Sequence, residues 1–121
     1  MLSLIVKEVF TIERLAPLAN EAQQRLIRLG YRNVEVLCGD GSLGWLEHSP
    51  YQAIAVAAGG PEVPRALLAQ LAPGGRLVMP VGSEDSGQVL VRVTQGRPGE
   101  LREEHLMEVR FVPLIGEQGW P

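Results

Sequence analysis

Val9-Phe10-Thr11-Ile12-Glu13 and Val34-Glu35-Val36-Leu37-Cys38, the latter running into Gly39-Asp40-Gly41-Ser42, decide how this chain is read. Each is a short apolar run of strand type, and each is closed by a carboxylate. Glu13 ends the first; Asp40 sits in the Gly-Asp-Gly turn after the second. Between them Leu15, Leu18, Ala19, Ala22, Leu26 and Leu29 recur at helical spacing, with Gln23, Gln24, Arg25 and Arg28 on the other face. Pro17 falls in the first turn, where a missing N–H costs little, and Gly30 ends the helix. Strand, helix, strand predicts a parallel pair, and in an open α/β sheet ligands bind outside the carboxyl ends of the strands. A carboxylate at Glu13 can accept both hydroxyl protons of a ribose. A second one, Asp40, beside a glycine turn, can meet the exocyclic amine of an adenine. The pair reads as part of an adenosine-cofactor site. No glycine-rich loop precedes Glu13 in the sequence, although such a site normally opens with one. Plainer roles stay open at both positions: Glu13 as a carboxylate favoured by the helix dipole, Asp40 as a turn residue.

Working outward, Tyr51 to Ala58 is a nearly continuous apolar run, which predicts a strand buried on both faces. Gly59-Gly60-Pro61 breaks it. Pro64 opens a short helix, Arg65 to Leu71, which Pro73-Gly74-Gly75 stops. Arg76 to Val81 is a further strand. Gln88 to Thr94 and His105 to Val112 form an antiparallel pair around the turn Gly96-Arg97-Pro98-Gly99. The alternating order predicts a mainly parallel sheet with helices on both faces, ending in a hairpin. The apolar residues 2–6 fit either the last turn of a helix or the start of a strand.

With 121 residues the chain is read as one domain, 1–121, able to bury roughly 65% of its unfolded surface. A hydrophobic content of 45% against 21% charged residues fits a soluble globular protein. The net charge is −3 and no Lys/Arg cluster occurs, which speaks against a nucleic-acid partner. No apolar run reaches the length of a membrane span. The single cysteine, Cys38, excludes an internal disulfide, suits a reducing cytoplasm and is expected as a small buried apolar residue. His48 and His105 show no metal-ligand or triad pattern and are expected at the surface or in packing. Trp45 and Trp120 are expected to pack, and Glu100, Arg102, Glu103 and Glu104 to form a solvated strand face. No nucleophile–base pair is visible, so no catalytic residue is assigned.

Seven blocks then come in order: 8–14 (EVFTIER), 30–36 (GYRNVEV), 39–45 (GDGSLGW), 50–54 (PYQAI), 61–64 (PEVP), 71–82 (LAPGGRLVMPVG) and 109–114 (VRFVPL). Together they resemble the bacterial protein-L-isoaspartate O-methyltransferases over almost the whole chain. The resemblance implies a Rossmann-like S-adenosylmethionine-dependent methyltransferase fold, a three-layer α/β/α domain. It implies S-adenosylmethionine as cofactor and isoaspartyl-containing proteins or peptides as partners. The chemistry is carboxyl methylation, as protein repair in the cytoplasm. On it, Glu13 is the ribose-binding acid and Asp40-Gly41 flank the adenine. Gly59, Gly60, Pro61 and Ile115 border the substrate side, with Val109–Leu114 as a final strand. The ordered blocks argue against a nicotinamide-dependent oxidoreductase, which an acid after a strand would also suit.

The resemblance also carries departures. The family has a strand and glycine-rich loop ahead of the Glu13 strand, and before them a segment with an active-site serine. These 121 residues begin later. The chain is therefore expected to lack the first βα unit and to be inactive alone, the alternative being a non-catalytic interaction module. Gly59-Gly60 stands where the family usually has alanines, which is expected to loosen that turn. Without the first strand, the Glu13 strand and the Ala53–Ala58 strand are left with unpaired edges. Three outcomes are open: the edges close on each other, residues 2–6 fill the slot, or a second chain supplies a strand. Partial closure with self-association is the expectation.

Overall fold

The strand that ends at Glu13 is β1, Val9–Glu13, and it pairs in parallel with β2, Val34–Cys38, in the register Val9↔Val34 to Glu13↔Cys38. The crossover is α1, Ala16–Arg28, with a proline in its first turn and Arg25 and Arg28 in its last, where cations oppose the helix dipole. Glu21 and Arg25 pair at 2.8 Å along its exposed face. Gly30 leaves the helix at φ +82°, a conformation that side chains disfavour. The computed structural model describes residues 6–83 and 85–121. They divide into two compact units, Met1–Gly41 and Ser42–Pro121. In the first, Ala19 is buried, while Leu15, Leu18 and Leu29 of the expected apolar stripe are exposed. Two strands offer too narrow a floor for the whole stripe. Cys38 is likewise exposed, against expectation, because it closes an edge strand. Its thiol reaches the Arg14 carbonyl at 3.7 Å.

In the second unit the order is β3 (Tyr51–Ala55), α2 (Arg65–Ala69), β4 (Leu71–Ser83), β5 (Gly87–Gln95) and β6 (Leu101–Val109). They form one sheet, β3-β4-β5-β6, parallel at β3/β4 and antiparallel beyond. Leu77 and Met79 of β4 are fully buried, packed with Leu67, Leu71, Val91, Val93 and Leu114. Pro73-Gly74-Gly75 does not stop the helix, which has already ended at Ala69. It lies in a bulge of β4, between the pairings Tyr51↔Leu71 and Ala53↔Arg76. β3 is not buried on both faces. Gln52, Ala53 and Ala55 are exposed, since β3 is an edge strand with a neighbour on one side only. Of the charged residues on β6, Glu104 accepts from Arg92 at 2.8 Å, and that hydrogen bond holds its carboxyl below the usual range.

The closure expected of β1 on β3 concerns strands of different units: β1 pairs with β2 in one sheet and β3 with β4 in the other. Among the described residues each has one paired neighbour, and the free backbone groups of an edge strand can be satisfied by water. Of residues 2–6, the other candidate for the gap, 2–5 lie outside the described residues and Val6 is exposed.

Candidate functional site

In the first unit Glu13, Asp40 and Gly41 come together at the carboxyl ends of two parallel strands. Glu13 and Cys38 are paired in register, and the Gly39 N–H donates to the Glu13 carbonyl at 3.0 Å. That bond closes the sheet and sends the chain into Asp40. Glu13 is half-buried, and its Oε1 accepts the Leu15 N–H at 3.3 Å at the entry to α1. The plainer role, a carboxylate at a helix start, is thus present. It occupies one oxygen with one weak bond, and the second oxygen has capacity for hydroxyl donors. Gly41 opens a 3₁₀ turn, Gly41–Leu43, and an added Cβ would meet nothing within 4 Å. The main chain there is open to a flat group. A carboxylate that can take two hydroxyls and an acid beside bare backbone suit an adenosine in their donor and acceptor types.

The residues that the resemblance assigns to the substrate side lie in the second unit. Gly59 and Gly60 are buried, Pro61 is exposed and Ile115 is half-buried. The Gly59 N–H donates to Val112 O and its carbonyl accepts the Leu114 N–H, both at 2.8 Å. Gly60 donates to Pro80 O at 3.2 Å and accepts from Gly82 N at 2.9 Å. The glycine pair therefore does not loosen the turn. A Cβ on Gly59 would stand 2.3 Å from Gln88 Nε2, and one on Gly60 2.7 Å from the Met79 methyl carbon. Gly59→Ala is expected to push Gln88 out of place and cost roughly 1–3 kcal/mol. Denaturant unfolding of the variant checks this; an unchanged midpoint would mean the Gln88 side chain yields freely.

Val109–Leu114 is not a continuous strand. β6 stops at Val109, and the following residues leave β5 and cross to Gly59 through the bridge Gly59↔Pro113. Pro113 has no N–H with which to carry a ladder on. Beyond it, Ile115 bridges Trp120, the Trp120 N–H donates to Leu114 O at 2.7 Å, and the indole Nε1–H donates to Gly59 O at 3.0 Å. Trp120 thus does more than pack: it ties the loop after Leu114 back to the glycine turn.

Four polar residues escaped the sequence reading because their partners are far along the chain. Gln88 bonds both backbone groups of Phe111. Gln70, buried, accepts the Trp45 N–H and donates to Leu43 O, each at 2.9 Å, and leaves no room for a Cβ at Gly44, where φ is +68°. Ser42, fully buried, accepts the Gln118 N–H at 3.0 Å, and Gln118 Oε1 accepts that of Ala66. A polar residue within an apolar run, as in Gln88-Val89-Leu90-Val91, is the one local signal that could have marked them. Among the described residues no three His, Cys, Asp or Glu side chains are grouped to hold a metal, and no helix is long and apolar enough to cross a membrane.

The family model for protein-L-isoaspartate(D-aspartate) O-methyltransferase matches residues 1–119. Protein-L-isoaspartate O-methyltransferase 1 of Geotalea uraniireducens is 57% identical over 120 residues, covering 99% of this chain and 55% of its own. Protein-L-isoaspartate O-methyltransferase 2 of Pelobacter propionicus is 56% identical, covering 99% and 53%. The chain spans about half the length of the curated relatives it matches. Among solved structures, a protein-L-isoaspartate O-methyltransferase superposes with a TM-score of 0.84 at 34% identity, over 93% of this chain and 35% of that one. One from Plasmodium falciparum, described as a beta-aspartate methyltransferase and crystallised with S-adenosyl-L-homocysteine, gives 0.76 at 26% identity, over 89% and 52%.

Proposed function

This chain belongs to the protein-L-isoaspartate(D-aspartate) O-methyltransferase family, and on that premise we propose that it serves S-adenosylmethionine-dependent carboxyl methylation of isoaspartyl residues in damaged proteins. The fold is the Rossmann-like α/β fold of that family's solved structures. The observation that carries the reading is the placement of Glu13 and Gly39-Asp40-Gly41 at one end of a parallel pair. In this assignment Glu13 takes the ribose hydroxyls and Asp40 and Gly41 flank the adenine. The cofactor supplies an electrophilic methyl group, and a carboxylate acceptor needs mainly alignment to take it. That fits the absence of a nucleophile–base pair from the assignment. Gly59, Gly60, Pro61 and Ile115 border the acceptor. A cytoplasmic setting goes with this cofactor.

The test is base-labile methyl transfer to an isoaspartyl peptide and to its aspartyl twin. It is run with the chain alone and with a chimera that adds the remaining portion of the Geotalea relative. Transfer to the isoaspartyl peptide only, by the chimera and not by the chain alone, is expected. Cofactor binding without transfer by both would favour a non-catalytic module instead. The open edge of β3 further supports self-association of the isolated chain. Sedimentation is expected to show species larger than one chain, and a monodisperse monomer at micromolar concentration would remove that expectation.

A further inference from the structure

We propose that Gln88 is a positioning residue for the acceptor side, holding the segment 111–115 in the conformation that a methyl-accepting peptide meets; this rests on the functional reading above. Gln88 is 3% exposed. Its Nε2 donates to Phe111 O at 3.2 Å and its Oε1 accepts the Phe111 N–H at 2.7 Å. Those two bonds reproduce what a backbone partner in an antiparallel ladder would give. The ladder itself ends at Gln88↔Val109, and in that register Phe111 would face Ser86, in the turn that precedes Gly87. The side-chain amide stands in for that missing partner.

The substitution has a geometric result. With Phe111 held from beneath by a side chain, the main chain is free of β5 and swings to Gly59, which takes Val112 O and Leu114 N. Gly59 in turn has no Cβ, and that vacancy is where the Gln88 amide sits. Phe111 and Val112 then face outward, at 37% and 66% exposure, on a backbone fixed from below. An apolar residue of the same size would fill the volume equally well. Two buried polar atoms add orientation, not packing, since a buried amide must be matched group for group. What Gln88 fixes is the plane of one peptide group and the course of the acceptor-side wall that follows it.

The experiment compares Gln88→Leu and Gln88→Glu with the parent. Amide exchange is read at Phe111 and Leu114, and the KM for an isoaspartyl peptide in whichever form transfers methyl. Gln88→Leu is expected to speed exchange at those two amides, and to raise the peptide KM, by roughly tenfold or more, with the cofactor KM unchanged. Unchanged exchange overturns the clamp; faster exchange with an unchanged peptide KM overturns the positioning role. The Gln88→Glu variant covers the case in which the leucine variant loosens the whole unit. A protonated carboxyl can both donate to Phe111 O and accept from Phe111 N, whereas a carboxylate can only accept. Protection and peptide affinity should therefore rise together as the pH falls, and a flat pH profile overturns the proposal. Failure of both the chain and the chimera to transfer methyl to the peptide defeats the functional reading, and the exchange measurements still decide the clamp.

Discussion

Glu13→Gln is expected to weaken binding of S-adenosylmethionine by roughly ten- to a hundredfold. The variant keeps the shape and one carbonyl oxygen, so the Leu15 N–H that Glu13 accepts at 3.3 Å retains its partner. The negative charge and the second acceptor are lost. A carboxylate accepting two hydroxyls makes charge-assisted bonds of about 1.5–3 kcal/mol each, and a neutral amide cannot replace both. The plainer role predicts something different. If Glu13 only complements the dipole of α1, the variant loses about 0.3–1 kcal/mol of stability and the cofactor binds as before. Calorimetric titration together with a thermal melt separates the two. Unchanged affinity removes Glu13 from the site.

Leu77→Ala is expected to destabilise the unit Ser42–Pro121 by about 2–5 kcal/mol. That is the cost of removing a buried leucine whose surroundings relax only in part. Leu77 has no exposed surface and lies among Met79, Leu67, Leu71, Val91, Val93 and Leu114, drawn from two strands, a helix and the crossing segment. Against a total of roughly 5–15 kcal/mol the loss is a large share, and for a unit of this size the melting temperature should fall by about ten degrees or more. Leu77→Ile, which keeps the volume, should cost less than about 1.5 kcal/mol. A loss below about 1 kcal/mol for the alanine variant would show that this core closes over the gap.

What was legible in the sequence was local. The β1-α1-β2 unit could be read because an apolar period, a first-turn proline and a terminal glycine lie within one short stretch. The place of Glu13 and Asp40 at strand ends followed from the same stretch. The hairpin of β5 and β6 announced itself through Gly96-Arg97-Pro98-Gly99. Strand ends were harder wherever the decisive partner was remote. Val109–Leu114 looks like one strand by composition, yet its course is set by Gln88, 23 residues away from Phe111. Ser42 meets the Gln118 backbone across 76 residues. The apolar run of β3 looked doubly buried because composition says nothing about whether a strand has one neighbour or two. Pro73-Gly74-Gly75 was read as a stop signal, and it is a bulge, since the same residues serve both uses.

The indole bond from Trp120 to Gly59 gives the glycine turn a built-in optical and magnetic reporter. The chain has only two tryptophans, and Trp45 lies edge-on to His48 at 5.0 Å between ring centroids, outside the loop that follows Leu114. Replacing Trp45 with phenylalanine would leave a single emitter whose N–H is committed to the carbonyl of the glycine turn at 3.0 Å. Its emission maximum, and its lone indole proton resonance, would then report whether that hydrogen bond is made or broken. Events at the glycine turn become visible without a label, in the same sample used to follow unfolding.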